Sequence, residues 1–355
     1  MNLELLSELC RTAGPPGREE RVRKVVIREL KALTDRIDVD RMGNVVATRG
    51  PRGGKGRKPA KAVKARRVML SAHMDEISLM VTHIDDRGFL RFTTLGGFDP
   101  KTLATQRVLV HGKEDMLGVV GSKPFHIMSD EERARMPKME TFFIDLGLPK
   151  ARVEKLVSVG DLVTRERDFA EVGDMVSTKA LDDRMGLFVM IEAMRKLRSH
   201  DVDVLAVATT QEEVGIRGAE VAAERLRPDL GVALDVTLAN DIPGADSAES
   251  VTTLGRGTAI KVMDSSVICD PRVVAALRSI ARKRKIAHQM EVLTRGGTDT
   301  AAIQRAGGGV PSGCISIPTR YVHSVTEMCH KRDVQASIDL LAAFLGEAHR
   351  VPIDH

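Results

Sequence analysis

Five short segments of this 355-residue chain each carry a residue able to ligate a metal ion. They are His73 in SAHMDE, Asp182 in STKALDDRMG, Glu213 in TTQEEVG, Asp235 in ALDV and His323 in RYVHS. Two imidazoles and three carboxylates suit two zinc-class cations that share one carboxylate. Glu212 adjoins one of these residues. A carboxylate that is not itself a ligand can accept a proton from metal-activated water. Together the set points to hydrolysis of an amide bond at a two-metal centre.

Each segment also has a plainer reading. His73 and Asp75 are two apart at a predicted strand end, so their side chains project to one face. Asp75 can hold the second ring nitrogen of a ligating His73, but H-x-D is also an ordinary surface or core pair. Asp182 and Asp183 stand at the mouth of a predicted helix, where an aspartate caps; one can cap while the other bridges. Glu212 and Glu213 follow the apolar run VLAVATT, and an exposed acidic turn would look the same. Asp235 closes the apolar run GVALD, and His323 alone is uninformative. Gly296-Gly297-Thr298-Asp299 reads as the cap of a helix over 299–306 before it reads as a backbone donor turn. The set is what decides, because four of the five ligands close apolar strands of a parallel-type sheet or the loops beyond them.

The elements that must position these residues alternate between helix and strand. Helical periodicity covers 3–12 and 17–34, a strand pair turns at Met42-Gly43-Asn44, and RVMLSAHMD is a short apolar strand. From 77 to 165 the texture changes to short β-like runs with one short helix near 150–156. This is a small β-rich unit inserted into an α/β domain formed by 1–76 and 166–355. After it, a helix is predicted over 183–198, a strand over 203–209, a helix over 217–226 and a strand over 230–236. A strand over 258–263, helices over 271–285 and 299–306, a strand over 313–317 and a helix over 332–348 complete the chain.

Composition narrows the class. Hydrophobic residues make up 43% of the chain, enough for a sizeable core. No apolar run approaches the ~20 residues of a membrane span, and MNLELLSELCRTAG does not read as a secretory signal. Cys10, Cys269, Cys314 and Cys329 are far apart and read as reduced thiols of a cytoplasmic protein. Eight of the 54 Lys and Arg residues fall within 51–67, which holds no acid; the remainder, set against 49 acids, is slightly acidic. That segment reads as a solvated loop. With no Trp and one Tyr, stacking on single-stranded nucleic acid is not expected, so a nucleic-acid partner is unlikely on sequence grounds.

With these residues in view, the chain resembles the cytosolic metallo-aminopeptidases that assemble as tetrahedral (TET) twelve-subunit particles. Members are named glutamyl, leucyl or deblocking aminopeptidase, and some carry the label endoglucanase. The agreement runs nearly end to end, through AGPPGREERVR, DRMGNVVA, SAHMDEISLMV, KPFHI, FFIDLG, KALDDRMG, TTQEEVGIRGA, ALDV, GGTDTAAIQ and GVPSGCISIPTRYVHS. Two features depart from it: the long basic segment 51–67, and Ser78 where the family typically has Gly.

The resemblance implies a zinc-peptidase-like α/β/α catalytic domain with an inserted, barrel-like dimerisation domain. It implies two divalent ions per subunit, zinc or cobalt, with His73 and Asp235 on one, Glu213 and His323 on the other, and Asp182 between. Glu212 would be the general base and then the general acid, and Asp75 would orient His73. It also implies a cis peptide at Asp182–Asp183, peptide substrates, and dimers that build a dodecamer. Rival readings are a related dinuclear carboxypeptidase or deacylase, with Arg320 as a carboxylate clamp, and a non-catalytic assembly protein. The long interval between His73 and Asp182 favours the aminopeptidase, because the related enzymes typically insert their extra domain later. The absence of aromatic platforms argues against a sugar cleft.

Overall fold

A computed structural model describes residues 1–53 and 65–354. Most of the segment 51–67, expected to be a solvated loop, lies outside the described residues. The chain begins with helices α1 (Leu3–Arg11) and α2 (Glu20–Leu30), the hairpin β1 (Arg36–Val39) and β2 (Val45–Arg49), and strand β3 (Arg67–His73). Gly43 supplies the positive φ of the hairpin turn, and Asp40 accepts N–H bonds from Met42 and Asn44.

Six strands follow: β4 (Ser78–Ile84), β5 (Leu90–Leu95), β6 (Arg107–His111), β7 (Asp115–Gly121), β8 (Phe143–Asp145) and β9 (Leu162–Arg165). They close into a barrel in the order β4-β5-β8-β7-β6-β9, packed around Leu79, Val81, Leu90, Val108, Val110 and Ile144. Two short helices, α3 (Asp130–Ala134) and α4 (Lys150–Leu156), lie between β7 and β9. The expected β-rich texture is thus a closed barrel, which leaves no free sheet edge.

The chain then runs through β10 (Ala170–Val172), β11 (Met175–Thr178), α5 (Leu181–Lys196), β12 (Asp203–Thr209), α6 (Arg217–Leu226) and β13 (Leu230–Leu238). It ends with β14 (Thr258–Met263), α7 (Pro271–Arg284), β15 (His288–Val292), α8 (Asp299–Arg305), β16 (Ser312–Arg320), β17 (Glu327–His330) and α9 (Lys331–Glu347). The large sheet runs β1-β2-β12-β3-β13-β16-β17-β11-β10, with β14 on β16 and β15 on β14. Its central four strands, β12, β3, β13 and β16, are parallel, as expected; the flanking β2 and β17 are antiparallel, so the whole sheet is mixed.

Alternation along these strands sorts side chains into two layers. Val68, Leu70, Ala72, Val204, Ala206 and Val232 face the core that α1, α2, α5 and α9 cover. Met69, Leu205 and Val207 face the opposite core, under α6 and α8. The result is an α/β/α sandwich. Helix α5 is buried on nearly every side, which is why RMGLFVMIEAM is almost continuously apolar. Among the described residues, no helix is long and apolar enough to cross a membrane.

Four strands and one helix of this list are absent from the sequence reading. β10 is exposed at all three positions, and β15 pairs only with β14 and buries only Glu291, so neither shows a buried apolar face to detect. β11 and β17 are four residues each, too short for a periodicity. Helix α3 is short, yet its Ser129–Glu132 capping box was readable. The first long helix is shorter than the predicted 17–34, because Gly17 has a positive φ and Glu19 is already the cap residue.

The turn that carries Glu212 and Glu213 is held from behind. Asn44 Oδ1 accepts the Thr210 N–H at 2.9 Å, and its Nδ2 donates to the Gly218 carbonyl at 3.0 Å. A Cβ on Gly218 would lie 2.4 Å from both Asn44 Oδ1 and the Thr210 carbonyl oxygen. Only glycine lets α6 start this close to the acidic turn. Gly218→Ala is therefore expected to destabilise the fold by about 1–3 kcal/mol, the usual range for overpacking. Denaturation midpoints check this; an unchanged midpoint would show that Asn44 and the 210–213 turn yield freely.

Candidate metal centre

The parallel strands deliver the site residues to their carboxyl ends. His73 is the last residue of β3 and pairs with Thr209, the last residue of β12; Glu212 and Glu213 follow in the turn beyond. Asp235 lies late in β13, on the same sheet face as His73 by the alternation of the buried apolar set. Asp182 enters at the mouth of α5, and His323 lies in the turn between β16 and β17. All five predicted ligands and Glu212 come together.

Asp182 stands in the middle. Its Oδ1 is 3.1 Å from His73 Nε2, and its Oδ2 is 3.3 Å from His323 Nε2. Glu213 Oε2 is 3.5 Å from His323 Nε2, and Glu212 Oε2 is 3.8 Å from His73 Nε2. The adjacent glutamates thus diverge to the two sides of Asp182. Two ligands on one tetrahedral zinc-class ion, bonded at about 2.0–2.1 Å, lie about 3.3 Å apart. The spacings from Asp182 to the two imidazoles match that value. His73, Asp182 and Glu213 form one group of ligand atoms within 4.8 Å of one another, and His73, Asp183 and Asp235 form a second.

Asp183 is separated from Asp182 by its hydrogen bonds. Its Oδ2 accepts the His73 N–H at 3.1 Å and its Oδ1 accepts the Gly186 N–H at 2.8 Å. Asp183 therefore caps the regular part of α5, while Asp182 keeps both oxygens toward the imidazoles. The peptide bond between them is cis, as the resemblance implied.

Asp75 does more than the sequence reading gave it. The His73 Nδ1 faces the Asp75 backbone carbonyl at 3.1 Å and the carboxylate at 3.5 Å. The carboxylate itself accepts the N–H groups of Glu212 and Glu213 at 3.0 and 3.1 Å. With Nδ1 engaged by Asp75, Nε2 is the ring nitrogen of His73 turned toward Asp182 and available to a cation in place of a proton.

Electrostatics make this a site short of positive charge. Burial pushes the Glu213 carboxyl up to about 8, with the charge of Asp182 adding to it. Burial raises Glu212 well above the usual carboxylate range, and burial with the charge of Asp182 does the same for Asp235. Burial opposes charge on the imidazoles, yet hydrogen bonds to Asp182 and Asp75 hold His73 well above 6.5, and Asp182 raises His323 to about 9. Glu213 Oε1 is buried without a hydrogen-bond partner, as expected of an oxygen reserved for a cation. The donor set, the spacing and this orphaned oxygen all fit divalent metal ions.

A cleft of about 400 Å³ opens over these groups, walled in part by Ile216, Leu238 and Val322. Gly296, Gly297 and Thr298 line it, and Thr298 is the cap residue of α8, so the turn stands both at that helix start and at the cleft. Arg320, the residue considered as a carboxylate clamp, is gripped by Asp241 at 2.7 and 2.8 Å. Sequence reasoning missed Glu327. This buried acid accepts the Asp182 N–H at 3.2 Å and the His323 N–H at 2.8 Å. An acid four residues after His323 was its only sign.

Comparison with known proteins agrees with this geometry. A sequence profile described as M42 glutamyl aminopeptidase matches residues 55–340. A putative aminopeptidase from Acetivibrio thermocellus is 40% identical over 341 residues, spanning 95% of this chain and 96% of that protein. The structure of an aminopeptidase from the archaeon Desulfurococcus kamchatkensis superposes with a TM-score of 0.90 at 40% identity, over 97% of this chain and 94% of the other. The Pyrococcus horikoshii TET1 peptidase, which can assemble into a tetrahedron or a large octahedral shell, gives a TM-score of 0.85 at 32% identity, over 97% and 99% of the two chains. A peptide-bond hydrolase of the aminopeptidase type, this chain belongs to the M42 glutamyl aminopeptidase family.

Proposed function

We propose that this aminopeptidase works with two divalent cations, zinc or cobalt, held by the five converging residues. His73 and Asp235 would hold one and Glu213 and His323 the other, with Asp182 placed between them. The observation that carries this reading is the placement of Asp182, with one carboxylate oxygen toward each imidazole. When bound, the cations supply Lewis acidity toward the scissile carbonyl and lower the pKa of the attacking water.

The chain's own residues do the rest. Glu212, buried and not needed as a ligand, takes the proton from the water as its oxygen adds to the carbonyl carbon. It returns that proton to the nitrogen of the leaving amine as the C–N bond breaks. The excess of buried acids offers a natural seat for the positively charged α-amine of a peptide. Asp75 keeps Glu212 and Glu213 apart by holding both of their N–H groups. A carboxypeptidase reading loses its clamp, since Asp241 occupies the Arg320 fork.

The barrel unit, residues 77–165, is assigned to subunit contact, and 1–76 with 166–355 to catalysis. Leu117, Val119, Phe125, Ile127 and Met136 are exposed apolar residues of that unit, a composition suited to a partner surface. A cytoplasmic homo-oligomer, dimers building a tetrahedral dodecamer, is the assembly that fits, given the shells formed by the TET1 peptidase. Light scattering of the purified protein is expected to find a large oligomer. Monomers at all concentrations would end the assembly reading.

Two further experiments test the chemistry. Glu212→Gln keeps the shape and removes the proton acceptor. Metal content is expected to stay at two ions per chain while turnover falls roughly 10²–10⁴-fold, the usual worth of a general base. Near-normal turnover would remove Glu212 from that role. Second, aminoacyl-anilides and short peptides with a free α-amine are expected to be cleaved from the amino end. The same substrates acetylated on that amine should be turned over far more slowly. Equal rates on both would overturn the proposed recognition of the amine.

A further inference from the structure

Glu327 is the first residue of β17 and lies opposite Thr178, the last residue of β11. From this paired position the chain runs back to His323 on one side and on to Asp182 on the other. Glu327 is 1% exposed. Its Oε1 accepts the N–H of His323 at 2.8 Å and its Oε2 accepts the N–H of Asp182 at 3.2 Å. Both oxygens are therefore spent on backbone groups, and neither is directed at the cleft.

His323 needs such an anchor. Its backbone has φ +67°, and Tyr321 before it has φ +59°, a region that residues with a Cβ seldom occupy. A loop in that conformation keeps it only where neighbouring contacts determine it. Arg165 of the barrel strand β9 donates from Nη1 to the His323 carbonyl at 2.9 Å. Glu327 takes the N–H of the same residue, so His323 is held at both ends of its backbone unit.

We propose that Glu327 is a positioning residue of the metal centre: one carboxylate, bonded to the backbone N–H groups of Asp182 and His323, sets the separation of these two ligands. The inference rests on the dinuclear reading given above. It makes Glu327 the partner of Asp75, which does for Glu212 and Glu213 what Glu327 does for Asp182 and His323. The ion shared by His323, Glu213 and Asp182 then depends on a residue that never touches it. Partners of this kind typically alter metal affinity 10–100-fold.

The test uses the full-length protein stripped of metal and titrated with Zn²⁺ against a chromophoric chelator. Glu327→Gln keeps the volume but turns one acceptor into a donor that faces an N–H. It is expected to weaken one of the two Zn²⁺ ions by roughly 10–100-fold and leave the other much less affected. Asp333→Asn is the control. Asp333 is buried and accepts the Gly255 and Gly257 N–H groups, both at 2.7 Å, so it makes the same kind of clamp without touching a ligand loop. That variant is expected to lower the melting temperature with both Zn²⁺ affinities intact.

Unchanged Zn²⁺ binding in Glu327→Gln, or equal weakening in Asp333→Asn, would overturn the proposal while leaving the dinuclear reading in place. A wild-type chain that binds fewer than two Zn²⁺ would overturn the dinuclear reading and this inference with it. If Glu327→Gln does not fold, hydrogen exchange on the metal-free wild type decides. Slow exchange of the Asp182 and His323 amides is expected, and exchange as fast as in exposed loops would refute the clamp.

Discussion

Backbone N–H groups of the ligand-bearing turns are held by carboxylates that come from other turns. Asp75 takes the amides of Glu212 and Glu213, Asp183 takes that of His73, and Glu327 takes those of Asp182 and His323. A hydrogen bond to a carboxyl oxygen is stronger away from water, where no solvent competes for the amide. The proposed ligands other than Asp235 are thus set by an exchange between four chain segments, not by any one element. Among the described residues, five of the eight non-glycine residues with positive φ, namely Ala180, Gln211, Ile216, Tyr321 and His323, lie in or beside these turns. The local backbone is unfavourable where the chemistry sits, and the amide clamps are what hold it there.

Such a concentration of buried acid needs positive charge nearby. Part of it comes from the protein. Glu76, next to Asp75, is met by Lys179 Nζ at 2.6 and 2.7 Å and by Arg184 at 3.5 Å, all buried. Lys261 is buried against Glu291 at 2.6 Å. These cations are bonded to acids outside the proposed ligand set; Lys261 offsets Asp235 only in part, the two imidazoles stabilise the charge of Asp182, and burial still pushes Glu213 and Asp235 up. Burial without a paired cation disfavours a charged carboxylate. The proposed metal ions complete a balance that the side chains leave open.

Much of this was readable from the chain, and the division has a physical basis. Strands β3, β12 and β13 are apolar because both faces are covered, and a run of that kind ending at an acid or histidine marks a site. That is why His73, Glu213 and Asp235 could be named. Helix α5 was legible as an apolar stretch, but not that its first two aspartates depart from helical φ and ψ. The barrel appeared as β-like texture; its closure depends on pairings such as β4 with β9, more than seventy residues apart, which no local pattern encodes. Glu327 stayed hidden for a similar reason. Its partners are backbone amides, which every residue carries, so no side-chain type announces them. Edge strand β15 has no buried apolar residue; its one buried position is Glu291.

The barrel's position in the chain gives it a part in the site. It departs directly after His73, Asp75 and Glu76 and returns shortly before Asp182, so its two ends leave from beside the acids it separates in sequence. It also reaches back. Arg165 donates to the His323 carbonyl, and its guanidinium lies over Phe98 at 5.4 Å. Gly96 and Gly97 pass so close that an added Cβ would lie 3.3 Å from Glu213 Oε2 and from His323 Nδ1 respectively. On the other flank, Arg21 of α2 pairs with Asp115 of β7, an ion pair open enough to water to contribute little on its own. The stronger coupling is therefore the one through Arg165 and the two glycines. By this route the barrel, whose surface is proposed to carry subunit contacts, is connected to the histidine at the edge of the cleft. If the proposed assembly forms through the barrel, it shares Arg165 and the two glycines with the site, and a change that tilts the barrel reaches His323 before it reaches His73.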